Sequence, residues 1–145
     1  MLSESARMSS AAEAAFRIQA PNSRTRATNV VALDRASEHV VTRLAESLWN
    51  QAAFFTAVDW DPDEASRADQ VVMLAAPGGD AQLASKICEA CSRRRVMTTA
   101  LVIGASSASE AALSKTLAQL RPWAMMVVIA TNDEYVDDML HALRA

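Results

Sequence analysis

Five short apolar runs punctuate this chain: Asn29–Leu33, Ala52–Val58, Gln70–Ala76, Met97–Ile103 and Ala124–Ala130. Each is too short for a buried helix and too uniformly apolar for a strand with one wet face. Each therefore predicts a strand covered on both sides, the kind that builds parallel sheets. Between the runs, large apolar residues return at three- and four-residue spacing. Val40, Val41, Leu44, Leu48 and Trp49 predict a helix over residues 36–50. Leu83, Ala84, Ile87, Cys88 and Cys91 predict a second, starting at about Asp80 as N-cap. Leu113, Leu117 and Leu120 predict a third, capped by Ser107 or Ser109 and ended by Pro122, and Val136, Met139, Leu140 and Leu143 a last one. Strands alternating with helices define an α/β domain.

Connection length adds topology. Only about ten residues, Asp59 to Ala68, separate the second and third strands, whereas a crossover between parallel neighbours takes a dozen or more. Either the Asp63–Arg67 turn is a minimal helix or the two strands are not adjacent. Placing the first strand between them predicts the order 2-1-3-4-5. That is a three-layer αβα sandwich with a five-stranded parallel sheet, flavodoxin-like or Rossmann-like. Residues 28–145 then form one domain. Residues 1–27, rich in Ala, Ser and Arg and broken at Pro21-Asn22-Ser23, form a mobile N-terminal extension in which Met8–Gln19 is the one short helical stretch.

Composition narrows the partners. The chain has 145 residues, 51% of them hydrophobic, 21% charged, and a net charge of −3, an ordinary balance for a globular protein. No apolar run reaches the roughly 18 residues that cross a bilayer, and Glu4, Arg7, Glu13 and Arg17 interrupt the first twenty residues where a secretory signal would be apolar. A cytoplasmic protein with no membrane partner is expected. A slightly acidic chain has no long-range attraction for nucleic acid; Arg93-Arg94-Arg95 reads as the cationic close of a helix at its negative dipole end.

In an open parallel sheet, ligands bind outside the carboxyl ends of the strands. The residues predicted there are Asp34, Asp59 with Asp61, Gly78-Gly79-Asp80, Ser106-Ser107 and Thr131-Asn132-Asp133. Asp34, Asp59, Gly78, Gly79, Asp80, Ser106, Ser107 and Asn132 are thus the candidate ligand set, although turns and helix caps use the same residue types. GxxxxGK[ST], GxGxxG and GxSxG are all missing, and Thr131 stands where a phosphoryl-accepting receiver would carry lysine. His39 falls near the carboxyl edge, within reach of Asp34 or Asp80. Cys88 and Cys91 form a CxxC, but near the end of a helix rather than at its start, so no dipole lowers a thiol pKa and the pair reads as packing. His39 and His141 have no zinc-ligand spacing to them. No catalytic residue, metal or cofactor is assigned.

The order of these segments resembles the nucleotide-binding domain of tubulin and its bacterial relative FtsZ, in shortened form. Asn29–Leu33, the following helix and Phe54–Asp59 are similar to that family's opening strand, helix and second strand. Ala68–Met73 is similar to the strand before its phosphate loop, Thr98–Ile103 to the strand after the loop's helix, and Leu120–Asp133 to a later strand ending in Asn-Asp. The resemblance implies shared architecture over residues 29 to about 140. The family's GGGTGTG-type loop is here Pro77-Gly78-Gly79-Asp80, its first glycine loop is Asp34-Arg35-Ala36-Ser37-Glu38, and the half of the domain that supplies the hydrolytic acid is missing. These departures imply no GTP hydrolysis.

The fifth strand is expected at an edge, yet Met125–Ile129 carries no charge or proline to discourage pairing. A homodimer is expected, through edge pairing or through the last helix and Trp123, with Trp123, Met125 and Met126 as interface residues. The leading expectation is a non-catalytic interaction or regulatory module acting through self-association or a protein partner. A small-ligand or nucleotide-binding domain using the carboxyl-end crevice comes second, and an enzyme holding a metal on Asp34, Asp59 or Asp61 last.

Overall fold

Apolar runs and amphipathic segments assemble as their spacing requires. A computed structural model describes residues 26–130 and 132–145, so the predicted extension lies almost entirely outside the described residues. Five strands, β1 (Thr28–Ala32), β2 (Ala52–Thr56), β3 (Gln70–Ala75), β4 (Met97–Val102) and β5 (Met126–Ile129), form one parallel sheet in the order β2-β1-β3-β4-β5. Helices α1 (Glu38–Ala45), α2 (Leu83–Arg93), α3 (Glu110–Leu120) and α4 (Asp133–Ala142) fill the connections and follow β5. Both answers to the short second connection hold. β1 separates β2 from β3, and Pro62–Arg67 forms a 3-10 helix whose first turn is capped by Asp61, its carboxylate accepting the Asp63 N–H at 2.9 Å.

Strand alternation divides the core in two. Val31, Met73 and Ala100 share one face, where they meet Ile87, Cys88 and Cys91 of α2 and Leu117 and Leu120 of α3. Val30, Val72 and Leu101 point the other way, to Val40 and Leu44 of α1 and Val136 and Leu140 of α4. Each fully buried Leu, Ile or Val side chain contributes on the order of 1.5–3 kcal/mol. Gln70 is a buried polar member: its Nε2 donates to Thr28 Oγ1 at 2.8 Å and to the Leu143 carbonyl at 2.9 Å, tying β3, β1 and the end of the chain together. Cys88 and Cys91 are free and buried on the inner face of α2, as packing residues.

The structure corrects several boundaries. The helix predicted over residues 36–50 is a 3-10 turn, Arg35–Ser37, followed by α1, which stops at Ala45. The Trp49 indole N–H donates to the Leu44 carbonyl at 2.7 Å, and the amides of Glu46 and Ser47 bond three residues back, to Arg43 and Leu44. The last carbonyls are satisfied by a tightened turn and a side chain, and the helix ends. Leu48 is consequently 98% exposed rather than buried, while Trp49 folds back to stack on His141 at 4.6 Å between ring centroids. Val58, predicted in β2, lies beyond it and is 90% exposed. α2 begins at Leu83, and Asp80 caps the turn before it by accepting the Gln82 N–H. Ser109, not Ser107, caps α3. No helix among the described residues is long and apolar enough to cross a membrane.

Candidate functional site

Between β1 and β3 the strand order reverses, which opens a crevice at the carboxyl ends of the strands. Asp34 enters it from the end of β1 in extended conformation, φ −131° and ψ 168°, as N-cap of the Arg35–Ser37 turn. Its Oδ1 accepts the Ser37 N–H at 2.9 Å. Its Oδ2 accepts the Ala76 N–H, across the reversal point, at 2.8 Å. One carboxylate thus finishes both the first turn toward α1 and the end of β3. Ser37 is fully buried and contributes its backbone; its hydroxyl finds no partner among the described residues.

Gly79 exists to let that carboxylate in. A Cβ at Gly79 would stand 2.6 Å from Asp34 Oδ2, well inside van der Waals contact. Gly78 serves a different need, a left-handed turn at φ +84°. The rest of the loop is tied down from α3. The Gly78 N–H donates to Thr116 Oγ1 at 2.9 Å, and the Ala81 N–H to Gln119 Oε1 at 3.0 Å. The Gly79 N–H turns back to the Ala76 carbonyl at 3.1 Å. A phosphate loop works by leaving such amides aimed at an empty anion site. Here the amides of Ala76, Gly78, Gly79, Ala81 and Gln82 already donate within the chain.

A concavity of about 490 Å³ remains between Asp34–Ala36, Ala57 and Gly79–Asp80. It brings together Asp34, Gly79 and Asp80 from the predicted ligand set, with Gly78 in the same loop. The other members are engaged elsewhere. Asn132 caps α4 by accepting the Tyr135 N–H at 3.0 Å, and Ser107 Oγ donates to the Gly104 carbonyl at 3.2 Å. Ser106 and Asp59 are exposed in turns that do not line the concavity. His39 meets neither Asp34 nor Asp80. Its Nε2 lies 3.8 Å from Asp133 Oδ2, both side chains largely in solvent. Beside it, Arg43 grips Asp137 through two bonds of 2.9 and 3.1 Å, joining α1 to α4.

The thiols are not poised for chemistry. Burial pushes the Cys91 thiol up to about 12, with Cys88 adding a smaller push. Burial also raises Cys88, partly offset by a hydrogen bond with Thr98. A reactive cysteine requires the opposite shift. Among the described residues no group of three or more His, Cys, Asp or Glu side chains could hold a metal ion.

The opposite end of the sheet is less finished. Trp123, Met125, Met126 and Ile129 are 50%, 71%, 42% and 45% exposed along β5 and the turn that leads into it. Trp123, Met125 and Met126 are the residues expected from sequence; Ile129, the last residue of β5, and Met97, 48% exposed at the start of β4, are further exposed apolar side chains. Nothing local to α3 in the sequence marks Thr116 and Gln119 as partners of a loop 38 residues earlier. No protein-family model matches the chain, and no curated protein is significantly similar to it.

Proposed function

We propose that this chain is a non-catalytic α/β module that acts by self-association along the free edge of β5. The observation that carries this reading is the state of that edge. The Ala130 N–H donates inward to the Val102 carbonyl at 2.8 Å, so strand alternation leaves the peptide groups of Val127 and Ile129 directed outward. Apolar side chains flank them, with no proline, bulge or charge in the strand. Two copies related by a two-fold axis would pair β5 with β5 antiparallel and merge two sheets into one. Two buried free thiols, Cys88 and Cys91, suit a reducing, cytoplasmic setting.

The nucleotide or small-ligand alternative ranks second because Asp34 and the α3 side chains already take the loop amides that would receive an anion. Sedimentation of the whole chain at tens of micromolar, an order of magnitude suited to a transient contact, tests the leading reading. The wild type should sediment as a dimer and Ile129→Lys as a monomer, while Ala53→Lys on the opposite edge strand, β2, changes nothing. A monomeric wild type would overturn the proposal.

A further inference from the structure

At the amino ends of β4 and β5, where α2 ends, the chain forms a half-open pocket of about 340 Å³. Its apolar wall is Cys88, Val96, Met97, Trp123 and Met125. That volume falls at the lower end of the roughly 300–1,000 Å³ of small-molecule pockets, which pair such walls with a few polar groups. Ser92 supplies a hydroxyl, the Thr98 hydroxyl oxygen already accepts the Met125 N–H at 3.1 Å, and Arg95 is the one formal charge on the lining.

Arg95 has no carboxylate within 4.0 Å among the described residues. Its neighbour Arg93, in contrast, is held by Glu89 at 2.8 Å. Arg95 also stands at φ 57°, in the left-handed turn that ends α2, where the Val96 N–H returns to the Cys91 carbonyl at 2.9 Å. Glycine is the residue this position favours. Arg144 closes α4 in a similar left-handed turn, so the conformation alone is not the signal. The signal is the pairing of an apolar cavity with an arginine on its lining that has no carboxylate partner among the described residues.

We infer that this pocket binds a small apolar carboxylate, an aromatic or short acyl acid. Its body lies between Met97, Trp123 and Met125 and its carboxylate pairs with Arg95. Guanidinium and carboxylate match as planar, bidentate partners, while the apolar wall rejects a bare inorganic anion. The inference goes beyond self-association and does not depend on it, although both use Trp123 and Met125.

The test is a titration of 2-naphthoate into the isotopically labelled whole chain, with 2-naphthalenemethanol as the uncharged counterpart and amide shifts as the readout. Saturable shifts confined to Val96, Met97, Thr98 and the Trp123 indole are expected. Arg95→Gly keeps the left-handed turn, so its thermal midpoint should not fall. It should weaken naphthoate about tenfold, the loss of one exposed charge-assisted pair, and leave the alcohol unchanged. Met97→Glu, on an exposed wall position, should repel naphthoate further. Ile129→Lys should bind naphthoate as the wild type does, which keeps this result distinct from the fate of the dimer. No saturable shift at millimolar naphthoate, shifts centred on Asp34 and Gly79, or equal loss of acid and alcohol in Arg95→Gly would each overturn the inference.

Discussion

At the carboxyl end of the sheet Asp34 reaches across the reversal point and occupies the Ala76 N–H at 2.8 Å, with Gly79 shaped to admit it. At the amino end, beside β4 and β5, Trp123 and Met125 stay 50% and 71% exposed around a cavity whose one arginine has no carboxylate partner among the described residues. The first region has an acid, a Gly-Gly turn and loop amides at the reversal point of an open α/β sheet, and the chain uses them on itself. The second lacks such features and leaves its surface unspent. Polar loop residues make a site only when the backbone groups they accompany are left unpaired.

The largest expected effect tests the closed end. Asp34→Ala strips the acceptor from two amides and should cost about 3 kcal/mol, combining a lost cap with a lost charge-assisted bond; urea denaturation measures it. A loss below 1 kcal/mol would mean that water serves the Ala76 and Ser37 amides equally well. Gly79→Ala should cost about 2 kcal/mol through overpacking against the carboxylate. The double variant should lose at least about 1 kcal/mol less than the sum, because removing Asp34 removes the closest atoms the new methyl would strike.

The next effect probes how dry the core is beneath α2, one helical turn from the pocket's Cys88. The folded-state pKa of Cys91 is pushed up from 9.0 to about 12, so the native chain keeps a proton that the unfolded chain releases above pH 9. Stability from this group is therefore complete below pH 9 and falls between pH 9 and 12, by about 1 kcal/mol per pH unit. Cys91→Ala should be less stable at pH 7 but show a shallower alkaline decline. The smallest effect is a gain. Arg95→Gly should add roughly 0.5–1 kcal/mol by relieving a left-handed residue, read as a raised thermal midpoint. An unchanged or lowered midpoint would show that the arginine side chain already makes stabilising contacts within the folded chain.

The parallel sheet and its strand order were legible because they rest on local apolar runs and on one connection too short to join neighbours. The end of α1 was not, since Leu48 and Trp49 continue the helical spacing, while a tightened last turn and the Trp49 indole, returning to the Leu44 carbonyl, satisfy the helix's final carbonyls. The role of Asp34 was half visible: its place after β1 puts it at the crevice, yet its partner is an amide 42 residues away. Gly79 was legible as a turn residue, but its reason is tertiary. Arg95 was read as helix-closing charge, and only folding sets it beside Trp123 and Met125.

The strand order carries a consequence for how the molecule is built. β2 adds to β1, β3 adds to the other side of β1, β4 to β3 and β5 to β4. No strand has to insert between two that are already paired, so the sheet can grow at its rims in the order in which the ribosome releases the chain. β5 is the last addition, and its outer rim, unpaired among the described residues, is where that growth stops.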